Sequence, residues 1–320
     1  MRQASALYGM RAMSAVHVGC ENLGGAVDLI VQREKHTQWP VLFASSVKGA
    51  LRDCARKQWS LDAEGEKWLE ALFGPRDPGR KQHRAGALLV GDARLLALPV
   101  PSLDHVFYWV CCPQALRRLA RDCAMYQQAR PLQDALQACQ PWLASAFAGE
   151  RANHAYSLGQ PSGAHVFLLE YAFMREMCAA PGLASALAAL FGIPAQEFEQ
   201  QLLLVSDAHF ALLGQTATSV QPHIRLNENK VTQDGALWYE ESLLPETLMY
   251  LPLACETERL SQEQQDAQKG TETDTETDSE AHSAQALLQR FHTLFSHPYL
   301  RIGANESTGM GWFHMHKMEG

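Results

Sequence analysis

Residues 41–59, VLFASSVKGALRDCARKQW, contain a strongly amphipathic segment. Apolar side chains recur at the i, i+3, i+4, i+7 and i+8 spacing of one helix face, namely Val47, Ala50, Leu51, Cys54 and Ala55. Ser45 is predicted as the N-cap, because a serine oxygen can accept amide hydrogens of the first helical turn. The segment therefore predicts a helix that packs by one face against a core.

The opposite face of this predicted helix carries a row of cations. Lys48, Arg52 and Arg56 follow one another at intervals of four residues, which aligns them along the helix. With Ser45 and Ser46 at the N-terminus, where a helix favours anions, this row is suited to follow a phosphate backbone. A solvated surface face explains the same row, and the residues alone leave both interpretations open.

The segments before this helix predict a strand and a long loop. Residues 6–18, ALYGMRAMSAVHV, alternate in polarity and predict a half-buried strand that ends near His17. Residues 19–40 lack helical periodicity and are long for a simple turn, which is typical of a functional loop. Within this loop Asp28 follows Gly24-Gly25. Its carboxylate could bind a divalent cation, accept a proton or cap a turn.

The rest of the chain mixes the two kinds of secondary structure. Strands are predicted at 85–96, 105–112 and 165–173, and helices at 113–125 and 182–192. They follow one another without a repeating strand–helix rhythm. This order predicts an α+β fold of ferredoxin-like type rather than a doubly wound parallel sheet.

Residues 214–245 are polar and aromatic, and they predict a projecting hairpin or arm. The arm carries aromatic and basic side chains interleaved with polar ones, a composition that suits contact with nucleobases; the residues are Gln221, His223, Arg225, Lys230, Trp238 and Tyr239. A loop that binds a protein partner, or one that is merely solvated, fits the same composition.

Residues 256–283 form an acidic tract with nine acids and two bases, which predicts a disordered insertion. The whole chain carries a net charge of −8, so the remainder carries only −1. An acidic overall charge therefore does not exclude a nucleic-acid partner. Such a tract is usually solvated, and we expect deletion of 258–281 to leave RNA affinity almost unchanged.

Several classes of protein lack support in the sequence. No phosphate-binding P-loop, nucleophile elbow, H-E-x-x-H zinc motif or dinucleotide fingerprint is present. The eight cysteines form no C-x-x-C pair, which favours reduced, mostly buried thiols. The apolar runs are too short to span a bilayer, and Arg11 interrupts the only candidate for a secretory signal. We expect a soluble cytoplasmic protein with no membrane partner.

A family resemblance rests on ordered blocks of sequence. These are GGAVDLIVQRE (24–34), ASSVKGALRD (44–53), AGALLVGDARLL (85–96), VTQDGALWYEESLLPETLMY (231–250) and RIGANESTGMGW (301–312). In this order they resemble the backbone subunit of the Cmr-type (type III-B) CRISPR RNA-guided effector complex, of the RAMP superfamily. The resemblance implies one RAMP domain over residues 1–320. It also implies a ferredoxin-like, RRM-like palm with inserted helical elements and a thumb hairpin at 214–245.

The resemblance also implies roles for individual residues. Asp28 matches the nuclease aspartate, acting with Mg²⁺ or Mn²⁺, and His17 matches a histidine near the cleavage site. Tyr239 and Glu240 lie in the matching W-Y-E-E block and are expected to assist cleavage. RNA contacts are expected from the helix, the thumb and the C-terminal glycine loop, at Ser45, Ser46, Lys48, Gly49, Arg52, Arg56, Arg225, Gly303, Gly309 and Gly311. Three positions depart from the family pattern: Ile30 stands where proline is usual, and Ala44 and Ala304 stand where glycine is common.

The activity implied is cleavage of complementary target RNA at regular intervals. Several copies would line up along one guide RNA (crRNA) beside other subunits of a Cmr-type complex, leaving 2′,3′-cyclic phosphate and 5′-hydroxyl ends. Two alternatives stay open. One is a purely structural subunit that binds guide and target without cutting, which Ile30 keeps in consideration. The other is a standalone guide-processing ribonuclease of the same superfamily, against which the expected thumb argues.

Overall fold

The computed structural model describes residues 3–20, 25–59, 63–75, 84–126, 130–258 and 283–319. The strands in these ranges are β1 (Gln3–Ala12), β2 (Val41–Leu42), β3 (Leu88–Val90), β4 (Ala93–Pro101), β5 (Phe107–Cys111), β6 (His154–Ser157), β7 (His165–Leu168), β8 (Tyr171–Met177), β9 (Leu202–Leu204), β10 (Ser219–Leu226), β11 (Thr232–Ser242), β12 (Leu248–Glu256), β13 (Tyr299–Arg301) and β14 (Trp312–Lys317). The α-helices are α1 (Ala44–Trp59), α2 (Ala63–Phe73), α3 (Pro113–Tyr126), α4 (Arg130–Ser145), α5 (Leu183–Phe191), α6 (Ala195–Gln201), α7 (Asp207–Thr216) and α8 (Ala284–His292).

Most strands join one large mixed sheet, in the order β13-β14-β1-β12-β4-β5-β9-β6-β8-β7. The short strand β2 pairs with β4, and β3 pairs with β12. Along the path, β5–β9 and β6–β8 are parallel, whereas the other pairs are antiparallel. The fold is therefore mixed α/β and not a doubly wound parallel sheet, as the order of the predicted elements indicated.

The middle of the sheet is covered by helices, which explains its apolar strands. Eight of the nine residues of β12 are buried, a pattern expected when both faces of a strand are packed. At Gly9 of β1, an added Cβ would lie 2.1 Å from the carbonyl oxygen of Leu190. Helix α5 can cross β1 this closely only because residue 9 has no side chain. None of the helices in the ranges described above is long and apolar enough to cross a bilayer.

Two predictions near the N-terminus are wrong. The first strand ends at Ala12, so His17 lies beyond it, in a segment where Val16 pairs with Leu243. The helix begins at Ala44, so Ser45 lies inside its first turn and is not the N-cap. The backbone amide of Phe43 donates instead to the side chain of Gln32, and that of Ala44 donates to Asp92. Long-range partners therefore satisfy this helix end, and local sequence does not reveal them.

Other elements differ from their predicted bounds. The strand predicted at 165–173 is two strands, β7 and β8, joined by a tight turn in which Leu169 has a φ of 52°. The segment 214–245 does contain a hairpin, but its strands β10 and β11 occupy 219–242 and α7 extends to Thr216. Of the predicted acidic insertion, residues 259–282 lie outside the described ranges.

Candidate nucleic-acid interface

Asp28 lies at the root of the hairpin formed by β10 and β11. Residues 25–33, here called the Asp28 loop, run beside β11, where Leu29 pairs with Glu240 in a parallel bridge. The amide of Leu29 donates to the carbonyl of Tyr239 at 3.0 Å. Asp28 Oδ2 accepts a hydrogen bond from the amide of Tyr239 at 2.8 Å. The carboxylate is therefore held in place while it stays partly exposed.

His17 lies on the inner side of the same loop and is only 5% exposed. Its Nδ1 is 2.6 Å from the carbonyl oxygen of Glu241. Because a carbonyl only accepts, Nδ1 carries the hydrogen and donates it. Nε2 faces Gly19, where an added Cβ would approach to 2.8 Å. Nε2 is therefore the nitrogen that remains for proton transfer.

The glycine loop after β13 packs directly on His17. Ala304 donates its amide to the carbonyl of His17 at 2.9 Å. Gly303 has a φ of +107°, and a Cβ there would lie 2.4 Å from the same oxygen. Asn305 Nδ2 donates to Glu240 Oε1 at 2.6 Å. The glycine loop, His17 and the hairpin root thus meet at one point.

Gln32 connects the start of α1 to the Asp28 loop at the hairpin root. Its Nε2 donates to Ser46 Oγ at 3.2 Å, and its Oε1 accepts the Phe43 amide at 2.9 Å. Gln32 was not identified from the sequence. The contact links the end of the Asp28 loop to the start of α1, where Ser45 and Gly49 are exposed.

The row of cations on α1 has unequal partners. Lys48 Nζ donates to the carbonyl of Leu88 at 2.9 Å, and Arg52 donates to that of Gly74 at 3.0 Å. Arg56 instead forms an ion pair with Asp53 at 2.5 Å. Lys57 bonds the same carboxylate and lowers the pKa of Asp53 below its ordinary value. The charge of Arg56 is thus partly neutralised, whereas among the described residues Arg52 has no carboxylate partner.

The hairpin has two different faces. On one, the rings of His223 and Trp238 stack with centroids 5.5 Å apart. The other is apolar and exposed, and consists of Pro222, Ile224, Leu237 and Tyr239. Arg225 is exposed at the irregularity between Ile224 and Leu226, further along the hairpin than Tyr239.

The predicted residues therefore fall into two groups and three single positions. Asp28, His17, Tyr239, Glu240 and Gly303 come together at the hairpin root. Ser45, Ser46, Lys48, Gly49, Arg52 and Arg56 lie along α1. Arg225 lies on the outer half of the hairpin, and Gly309 lies at the outer turn of the glycine loop with open space around it. Gly311 donates its amide to Ala15 at the base of that loop.

Glu241 is a buried carboxylate at this site that the sequence analysis did not identify; it is 5% exposed. Its Oε2 accepts the amide of Val31 at 3.0 Å, and its Oε1 accepts from Thr218 Oγ1 at 2.7 Å and from the Arg33 guanidinium. The sequence feature that could have revealed Glu241 is its position next to a second acid, Glu240. Successive strand residues point to opposite faces, so at least one had to face the fold.

Metal-binding side chains are sparse here. Within the described ranges, no group of three or more His, Cys, Asp or Glu side chains could hold a metal ion. Asp28 supplies one carboxylate, and one of its oxygens already accepts from Tyr239. The protein's own ligands therefore fit only a cation whose other ligands come from RNA and water.

Comparisons with known proteins bear on the whole chain. Residues 10–314 match the RAMP superfamily. The chain is 29% identical over 318 residues to the CRISPR system Cmr endoribonuclease Cmr4 of Pyrococcus furiosus, covering 96% of this chain and 93% of that protein.

Solved structures share the fold. A chain of the type III-B Cmr-beta complex bound to cognate target RNA superposes with a TM-score of 0.70 at 17% identity, over 98% of this chain and 97% of that one. Oligomeric Cmr4 from Pyrococcus furiosus gives a TM-score of 0.64 at 23% identity, over 99% and 98% of the two chains. The match over nearly the whole sequence leads to one conclusion: the chain belongs to the RAMP superfamily.

Proposed function

We propose that this chain is the guide-RNA-binding backbone subunit of a type III-B CRISPR effector complex and cleaves complementary target RNA at regular intervals. Its 29% identity to the Cmr4 endoribonuclease over 96% of the chain supports this. Copies would assemble along the crRNA in the cytoplasm beside other subunits of a Cmr-type complex. In this proposal residues 1–320 form one RAMP domain, with a ferredoxin-like palm in the large sheet and the hairpin as its thumb.

The observation that carries the proposal is the attachment of Asp28 to the hairpin root. Its carboxylate is bonded to the Tyr239 amide at 2.8 Å. A hairpin that displaces one target nucleotide would splay the RNA backbone at its own base. The carboxylate would then lie beside the splayed linkage in every copy, and evenly spaced cuts would follow.

The proposed chemistry is transesterification within the target strand. Asp28 accepts the proton of a ribose 2′-hydroxyl, whose oxygen attacks the adjacent phosphorus as the bond to the 5′-oxygen breaks. The leaving 5′-oxygen takes a proton from water, or from Nε2 of His17 when the imidazole carries a second proton, with Tyr239 and Glu240 beside the reacting group. The products are a 2′,3′-cyclic phosphate and a 5′-hydroxyl.

We include Mg²⁺ or Mn²⁺ in the proposal as an ion that Asp28 would hold together with RNA phosphate oxygens and water. A single protein carboxylate is a poor site by itself, but magnesium commonly relies on such outer ligands. When bound, the ion would neutralise charge on the reacting phosphate.

The guide would be held through its backbone, because base pairing supplies the sequence specificity. Ser45, Ser46, Lys48, Gly49 and Arg52 on α1 offer hydroxyls, an open glycine and cations to phosphates and 2′-hydroxyls. Arg56 and Arg225 add outer charges, and the loop at Gly303, Gly309 and Gly311 lets RNA approach closely.

Retained cleavage is proposed despite the departure at Ile30. Proline would fix φ at this position. Here the carbonyl of Ile30 accepts the Cys20 amide at 3.2 Å, and the next amide, that of Val31, donates to Glu241 at 3.0 Å. Hydrogen bonds thus restrain the loop where the family usually has proline.

The test uses the assembled complex with guide, complementary target RNA and Mg²⁺. Replacing Asp28 by Asn should slow cleavage about a hundredfold or more, because the group that accepts the proton is lost. Target affinity should stay unchanged. Asp134→Asn, at an exposed position of α4, is the matched control and should cut normally.

Other results would decide between the alternatives. Cleavage at the wild-type rate by Asp28→Asn would remove this carboxylate from the mechanism. Target RNA that the wild-type complex binds but never cuts would support a purely structural subunit. Efficient cleavage of guide precursor by the isolated chain would support a standalone processing enzyme.

A further inference from the structure

We infer that Glu241 is a positioning residue for cleavage: its buried carboxylate fixes the Asp28 loop against the hairpin. The inference rests on the proposed function, because it concerns the placement of the proposed catalytic carboxylate. Glu241 itself would touch neither RNA nor a bound cation, since its side chain is 5% exposed and its oxygens face the protein.

The side chain of Glu241 bonds the segment that follows Asp28. Oε2 accepts the amide of Val31 at 3.0 Å, three residues after Asp28. Oε1 accepts from the guanidinium of Arg33. Val31 is held through its backbone and Arg33 through its side chain, so the carboxylate limits how far residues 31–33 can move.

The backbone of Glu241 bonds both sides of the site. Its amide donates to the carbonyl of Leu29 at 2.8 Å, next to Asp28. Its carbonyl accepts from His17 Nδ1 at 2.6 Å. One residue of β11 thus contacts both the segment that carries Asp28 and the imidazole of His17.

The charge of Glu241 is matched in its buried position. A buried carboxylate is costly unless it is paired and hydrogen-bonded. Arg33 provides the opposite charge, and Thr218 Oγ1 donates a further hydrogen bond at 2.7 Å. Arg33 also donates to the carbonyls of Gly214 at 2.7 Å and Gln38 at 2.8 Å.

These contacts join the Asp28 loop to both strands of the hairpin. Thr218 directly precedes β10, and Glu241 lies near the end of β11. By holding the residues that follow Asp28, these contacts keep the Asp28 carboxylate at the Tyr239 amide. Loss of the Glu241 charge should loosen this backbone and leave the rest of the fold in place.

The experiment compares Glu241→Gln with wild type in the assembled complex. At saturating complex, the cleavage rate should fall about tenfold or more, because small displacements of a catalytic group are costly. The complex concentration that gives the half-maximal rate should not change. Glu246→Gln, which removes an ion pair to Arg11 instead, is the matched control and should cut at the wild-type rate.

A second readout follows the loop itself. Hydrogen–deuterium exchange of peptides covering 25–33 should be faster in Glu241→Gln, while peptides from β12 should exchange as in wild type. If Glu241→Gln does not fold, Thr218→Val removes one hydrogen bond to the same carboxylate and should show the same two effects at smaller size.

Wild-type cleavage and loop exchange in Glu241→Gln would overturn the inference and leave the role of Asp28 intact. So would a general increase in exchange across β12, which would mark a merely structural residue. If the wild-type complex never cuts, the proposed function fails, and unchanged loop exchange in Glu241→Gln would then overturn the positioning role as well.

Discussion

Arg52 and Arg56 lie one helical turn apart on α1, yet their charges are not equally available. Arg52 donates to a neutral carbonyl, which leaves its positive charge in place. Arg56 shares Asp53 with Lys57. A phosphate contact releases counterions only where the cation is not already compensated. The even spacing in the sequence therefore conceals a difference that the ion pairs create.

This difference predicts unequal salt dependence. Arg52→Gln should reduce the slope of log affinity for RNA against log salt by about 0.7, the value for one phosphate contact with a single strand. Arg56→Gln should change it by less than half as much. Fluorescence anisotropy with guide RNA over a series of salt concentrations measures both. Equal changes in the two variants would contradict the pairing argument.

At the scale of single residues, the sequence predicted the candidate site residues but not the residues that hold them in place. Asp28 and Tyr239 lie in the ordered blocks, and His17 was taken from the family resemblance; the structure places all three around the hairpin root. Gln32 and Glu241 were missed, because their partners lie elsewhere in the chain: Thr218 lies 23 residues before Glu241, and Val31 lies 210 residues before it. Local periodicity carries no record of such pairings.

At the scale of elements, α8 packs on β1 through an unusual polar contact. The hydroxyl of Tyr8 lies 2.6 Å from His292 Nδ1, and both side chains are largely enclosed. Burial, and to a smaller extent the charge of the nearby Lys317, lowers the pKa of His292 to about 4. The imidazole is thus neutral in the folded protein at neutral pH.

This contact predicts how stability depends on pH. A histidine in the unfolded chain titrates near pH 6.5, so the unfolded state binds more protons between about pH 4 and 6.5. The contribution of His292 is therefore complete above this window and is lost as the pH falls through it. Urea unfolding of wild type and His292→Asn should show a stability difference that shrinks from pH 6.5 to 4. A difference independent of pH would contradict this assignment.

The elements show which patterns can be read without a structure. The apolar stripe of α1 and the proline that opens α3 predicted both helices, because each signal is local. The tight turn at Leu169 was missed, since a run of strand-forming residues does not show where the chain reverses. Helices α2 and α4 were not predicted either.

At the scale of the whole molecule, the proposed function depends on several copies of the chain that line up along one guide RNA. A backbone subunit that contacts the next copy by different surfaces forms an open assembly rather than a closed ring. Each copy would then present its own Asp28 at a fixed interval along the target. The charge pattern fits this arrangement. The acidic tract accounts for most of the net charge of −8, so the rest of the chain is nearly neutral and does not repel RNA by its overall charge.

The most direct measurement uses complexes reconstituted from defined mixtures of wild-type and Asp28→Asn chains, with end-labelled complementary RNA. The spacing of the products should stay the same in every mixture. Their yield at each interval should fall with the fraction of Asp28→Asn, and complete replacement should leave the target bound and uncut. An undiminished ladder of products from complexes that contain only Asp28→Asn chains would contradict the account.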